Sequence, residues 1–403
     1  MKYLIYLESY TFIFLGTTSD IVYNSLDGCY FVYTAPTVRR ILQEIMNCAF
    51  FYGTIVDDKI VRQEDVVAFI DDMHRHFMGG MIRCKHKTNL PFIPSPIFRI
   101  NDLKVIHEDD ENYQYDKNIT KNLHEVFLFL PSRKTYPIEY YKQYPHPDKW
   151  KDEELELKEY INVVNECREY ESCKISLIGE TGYIFTLLKN MADISCLKDI
   201  YLDATNVSVD ELLDILRRGE FKLKLAMHSP CSFDLLLADN ELLSYNNRIE
   251  WQFFIYNDTD YFMLEKILKG TSYIYSIKPV FNHKNESFFK DYVAIDEGDL
   301  KEMHPNKIQI FRRKVLNENF YGKLYIYPNG NVTANMNMSV LGNIKKTTLY
   351  ELICRELQTG ESWTLSRDKK EPCKNCEYRY LCPSISNVEL VMNKFDLCMK
   401  GNL

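Results

Sequence analysis

No apolar run in the chain approaches the roughly 18 residues that a membrane-spanning helix needs, so none is expected. The opening Met1-Lys-Tyr-Leu-Ile-Tyr-Leu-Glu turns polar at Glu8 and lacks a small-residue cleavage site, which argues against an export signal. Basic excess is missing too. The 49 Lys and Arg face 57 Asp and Glu, and the net charge of −8 excludes the broad basic face of nucleic-acid binding, though not a local basic groove. There is no G-x-S-x-G, no P-loop and no Rossmann glycine fingerprint. Cysteine, by contrast, is plentiful, and 12 thiols without a sign of export imply a reducing cytoplasm rather than disulfides. At 403 residues, 46% apolar and 26% charged, the chain suits two or three ordinary globular domains. Its 29 Tyr and 23 Phe suit peptide-binding surfaces as well as cores.

The thiols concentrate at the end. Cys373, Cys376, Cys382 and Cys398 follow a C-x2-C-x5-C-x15-C spacing. The close pair puts two sulfurs on one turn, and the longer gaps let the chain return and close a cage. Four thiolates in that arrangement can hold a tetrahedral metal or an iron–sulfur cubane, and the spacing suits both. Cys84, Cys167, Cys173, Cys196 and Cys231 are scattered and read as small buried apolar residues.

Taken in order, the chain begins with short strands at Lys2–Leu7, Thr11–Leu15, Asp20–Asn24 and Tyr30–Tyr33, with Asp27-Gly28 as a hairpin signal. Pro36 opens a helix with Val38, Ile41, Leu42 and Ile45 on one face. A second helix over Gln63–Phe77 is expected to turn Val66, Val67, Phe69, Ile70 and Met73 one way. This order is similar to the winged-helix-like leader-peptide recognition module of peptide maturases, in which the leader adds a strand to a sheet edge. A structural cap without a ligand is an equal reading. Residues 1–80 form this module, and 81–122 read as a Pro-rich, then acidic, linker.

From residue 123 strand and helix alternate. Strands are predicted at Leu123–Leu130, Lys174–Ile178, Asp199–Asp203, Phe221–Met227, Glu250–Tyr256 and Tyr273–Val280. Helices are predicted at Asp152–Tyr170, Thr181–Met191, Ser208–Arg218, Phe233–Leu243 and Tyr261–Leu268, with Ser208 and Glu211 as a capping box. That pattern means parallel βαβ units and an α/β fold class.

The last stretch carries the family likeness. Tyr327-Pro328-Asn329-Gly330 makes a hairpin, Leu341-Gly342-Asn343-Ile344 follows, a helix runs from about Thr347 to Leu357, and the cysteine block closes the chain. This order resembles the SPASM domain of radical-SAM peptide maturases. There the equivalents of Cys373, Cys376, Cys382 and Cys398 hold the second auxiliary 4Fe–4S cluster. Ligands of the first auxiliary cluster are replaced by Ser386 and Asn335. The resemblance implies a partial (β/α)6 radical-SAM-like barrel over 123–310 and a SPASM-like domain over 311–403.

A radical-SAM enzyme carries C-x3-C-x2-C after its first barrel strand. Here the loop from Pro131 to Pro147 has no cysteine, and His146 with nearby tyrosines does not replace three thiolates. Ile178-Gly179-Glu180-Thr181 looks like a worn Gly-Gly-Glu motif, with Glu180 expected to be a solvated carboxylate opening the next helix. His228-Ser229 sits where a barrel site would be, without an identifiable partner, and His74, His76 and His86 make a weak metal set. With Tyr23-Asn24-Ser25-Leu26-Asp27-Gly28 and Cys382-Pro383-Ser384-Ile385-Ser386-Asn387, the chain is similar to the pseudo-radical-SAM proteins of Bacteroidales (GG-type) peptide maturation systems.

The resemblance implies a pseudoenzyme without S-adenosylmethionine. Such a protein is a non-catalytic, cytoplasmic accessory that binds a precursor peptide, a partner radical-SAM maturase or both. One 4Fe–4S cluster, with zinc as the alternative, staples its tail. The rival reading is an electron-transfer subunit serving a partner enzyme through that single cluster.

Overall fold

The computed structural model describes residues 1–48, 52–84, 117–150, 154–191, 193–228 and 240–398. Ser229, Cys231, His86, most of the helix expected over Phe233–Leu243 and most of the 81–122 linker lie outside these residues.

The N-terminal strands fall into two small antiparallel sheets. β1 (Lys2–Leu7) lies between β5 (Gly53–Asp57) and β6 (Gly79–Cys84), while β2 (Thr11–Leu15), β3 (Asp20–Asn24) and β4 (Tyr30–Tyr33) form a meander. Gly28 closes the β3–β4 turn at φ +76, a left-handed conformation costly for any side chain, and His304 packs where its Cβ would sit. The helices Pro36–Asn47 and Glu64–Arg75 press Val38, Ile41, Leu42, Ile45, Val66, Phe69, Ile70 and Met73 onto Ile5, Leu7, Ile13 and Val22. Val67 departs from expectation and is 43% exposed, because a 3.6-residue period carries it off the stripe made by Val66, Phe69, Ile70 and Met73.

The larger part is mixed α/β around a central parallel sheet. β7 (Glu125–Phe129), β8 (Lys174–Ile178), β9 (Leu197–Asp203), β10 (Lys222–Met227), β11 (Ile249–Ile255) and β12 (Ile274–Pro279) lie parallel and in sequence order. Helices Leu157–Glu169, Thr181–Asn190, Val209–Leu216 and Asp258–Leu268 make crossovers. Strand residues such as Val126, Leu128, Ile175, Leu177, Ile200, Leu202, Leu223 and Leu225 are buried, as strands covered by helices must be.

Beyond β7 the sheet continues into the C-terminal part. β13 (Lys323–Ile326) pairs parallel with β7, and β14 (Asn331–Thr333) and β15 (Gly342–Asn343) complete nine strands, with β12 and β15 at the edges. Trp363, Leu349, Leu352 and Ile353 join the same core, so the tail rests on the sheet. Among the described residues no helix is long and apolar enough to cross a membrane.

Candidate functional site

The cysteine block has little regular structure. Cys373 starts a single 3-10 turn, which closes with the Cys376 amide donating to the Cys373 carbonyl at 3.0 Å. A second turn brings the Cys382 amide to the Tyr378 carbonyl at 2.9 Å. Cys398 returns as the Ile295 amide bonds the Leu397 carbonyl at 3.0 Å, making a lone parallel bridge. All four cysteines line one cavity, walled by Ile295, Leu300, Phe395 and Leu397.

Arg367 supplies the charge beside them. It is buried, 3.0 Å from the Glu389 carboxylate, and reaches Cys373 Sγ at 3.6 Å while donating to the Pro383 and Phe395 carbonyls. Burial pushes the Cys382 thiol up to about 12 and raises Cys373 as well, with Arg367 pulling both partly back. Cys373 accordingly donates its proton to the Phe395 carbonyl at 3.0 Å. A cationic centre would displace these protons, since thiolates are the ligand form.

The chain's N-terminal strands meet this block. Phe12, Phe14, Ile21 and Tyr23 pack with Tyr378, Leu381 and Cys382, Arg379 donates to the Leu15 carbonyl at 3.0 Å, and Ser19 bonds Glu377.

A second constellation lies at the C-terminal ends of the parallel strands, where α/β sheets place ligands. Glu180 is not simply solvated. It accepts from the Arg133 amide at 2.6 Å and Ser132 Oγ at 3.0 Å, fixing the loop after β7. That loop delivers Lys134, Tyr136 and His146, β9 ends on Asp203, and His228 follows β10. His146 Nε2 and His228 Nε2 are 3.0 Å apart, and His228 Nε2 is 3.8 Å from Asp203 Oδ1. His146 is fully buried, and its Nδ1 donates to the Pro147 carbonyl at 2.6 Å. Burial, with His228 beside it, lowers His146 to about 3, and burial lowers His228 also, so both imidazoles are neutral near pH 7. Asp203 feels burial as well, but bonds from Tyr136, Thr205 and Lys134 outweigh it and hold the carboxyl at about 2. Next to them opens a cavity of about 360 Å³, lined in part by Ser132, Arg133, Tyr136, Glu180 and Asp203.

Sequence reasoning singled out His146 and His228 without connecting them, and missed Asp203. The three are far apart in the chain, so only strand order gives a signal: Asp203 and His228 close neighbouring parallel strands. His74 and His76 do not converge; His74 Nε2 faces the Met81 amide at 3.4 Å, whereas His76 packs on Phe31. Cys84, Cys167, Cys173 and Cys196 are buried.

No family model and no curated protein matches the chain. Among solved structures it is similar to Streptococcus suis SuiB bound to precursor peptide SuiA. The identity is 11%, the match covers 98% of this chain and 100% of that chain, and the TM-score is 0.43. The expectation of a pseudoenzyme is corrected, because its physical basis was too narrow. A missing C-x3-C-x2-C motif removes one cluster and its chemistry, not every chemistry, and His146 does have convergent partners.

Proposed function

We propose that this chain binds a ribosomally made precursor peptide and takes part in its maturation, and that Cys373, Cys376, Cys382 and Cys398 hold one 4Fe–4S cluster. The observation that carries the reading is the convergence of these four thiols on one cavity, behind a hairpin and helix whose order resembles a SPASM domain. The family likeness favours a cluster over zinc, since the cysteine spacing suits both. When bound, such a cluster supplies a covalent crosslink and a redox centre. The chain's own part is to present four thiols, keep Arg367 near them and cover them with Ile295, Leu300, Phe395 and Leu397. That apolar cover favours a staple over an electron-transfer role.

Peptide binding falls to residues 1–80 in this reading. β4 is an edge of its meander, and Val32 on it is 45% exposed, so an added peptide strand has backbone groups to pair with. A partner radical-SAM maturase is the second partner in this reading. The test is binding of a precursor peptide encoded beside this chain. Val32→Lys, a charge on the edge strand, is expected to weaken binding about tenfold, or about 1.4 kcal/mol, with an unchanged melting temperature. Equal binding by wild type and variant, or none by either, would count against the reading.

A further inference from the structure

The cluster at the strand ends has the make-up of a metal site separate from the cysteine block. We propose that His146 Nε2, His228 Nε2 and an Asp203 carboxylate oxygen hold a single divalent transition-metal ion of the zinc or iron(II) class. Three ligand atoms, one from each residue, lie within 4.8 Å of one another, and among the described residues no other set of three does so. Ligands of a four-coordinate ion at about 2.0–2.1 Å are about 3.3 Å apart, and the observed 3.0 and 3.8 Å bracket that spacing.

Tautomer and orientation agree with the assignment. The proton on His146 Nδ1 is committed to the Pro147 carbonyl, which leaves the Nε2 lone pair facing His228. Without an ion, His228 Nε2–H donates to that lone pair at 3.0 Å; a bound ion would take the place of the shared proton, with the His228 proton moving to the unpartnered Nδ1. Asp203 is held firmly: Oδ1 accepts from the Thr205 amide at 2.9 Å and Thr205 Oγ1 at 2.7 Å, and Oδ2 accepts from Lys134 Nζ at 2.9 Å and from Tyr136. Outer partners of this kind fix a metal-binding carboxylate.

The charge balance also allows a cation. Two neutral imidazoles and one carboxylate make a net negative set. Lys134 offsets part of it from the far oxygen and tunes the site towards modest affinity. Tyr136, Tyr140 and Phe254 pack around the imidazoles and keep the trio dry. The adjoining cavity is lined by Asp203 and Tyr136, so the carboxylate side of the trio borders open space while the imidazoles are packed among rings. Two histidines, one carboxylate and open positions are the donor set of hydrolytic zinc and non-haem iron centres.

The experiment uses the full-length protein, stripped with a chelator and titrated with zinc. Bound zinc is counted by elemental analysis and its ligand shell read by X-ray absorption. Wild type is expected to hold one zinc in a nitrogen and oxygen shell at about 2.0–2.1 Å, distinct from sulfur at about 2.3 Å. His228→Ala and Asp203→Asn should each lose this ion or bind it at least about tenfold more weakly, while retaining whatever iron and sulfide the cysteines hold. Should His228→Ala fail to fold, the near-isosteric Asp203→Asn still decides. Equal zinc in wild type and both variants, a sulfur-only shell, or no zinc uptake by wild type would overturn the proposal. Loss of iron in Cys376→Ala with the nitrogen and oxygen shell intact would separate this site from the cysteine block.

Discussion

Lys314 illustrates how much a neighbourhood does to one charge. Its ammonium lies among the rings of Phe12, Phe14, Phe311 and Tyr380, 5.5, 5.8, 5.9 and 5.5 Å from their centroids. Burial, with the Arg379 charge nearby, lowers its pKa to about 8 from 10.5. The sign follows from linkage. Between pH 8 and 10.5 the unfolded chain binds more protons than the folded one, so this group makes stability rise with pH through that window. Lys314→Met should flatten the rise and stabilise the protein below pH 8, by about 3 kcal/mol at most. Urea denaturation at pH 7 and pH 10 checks this; an unchanged pH slope would contradict it. None of this environment was legible in the chain, because the rings come from β2, a helix and the cysteine block. The same holds for His146, Asp203 and His228. By contrast, the meeting of Cys373, Cys376, Cys382 and Cys398 at one cavity was legible from spacing, since residues of one short segment come together locally.

At the scale of elements, local chemistry was readable. Strand β8 spans Lys174–Ile178 as expected, and the Ser208–Glu211 capping box is formed, with Ser208 accepting from the Glu211 amide at 3.3 Å. Ser208→Ala should cost about 1 kcal/mol, seen as a lower urea midpoint with an unchanged slope. A change in the slope would mean the cap does more than close its helix. Ends were less legible. The helix expected from Tyr261 begins at Asp258, because Asn257 caps it by accepting from the Asp260 amide at 2.9 Å. The parallel pairing of β13 with β7 had no local signal at all, since nothing in either strand names its partner.

Across the whole molecule, the N-terminal sheet and the cysteine block share a core, with Ser19 bonded to Glu377 and Arg379 to the Leu15 carbonyl. An edge proposed for peptide and a cage proposed for a cluster therefore belong to one packed unit. Closing the cage would stabilise the sheet that carries the edge, since ligand bonds formed only in the folded state add to folding free energy. The account depends most on that cage. The deciding measurement is iron, acid-labile sulfide and zinc in anaerobically purified protein, wild type beside Cys376→Ala. The account predicts about four irons and four sulfides per chain at the cysteine block, lost in the variant. Wild type without iron, or with zinc bound to sulfur in its place, would contradict it.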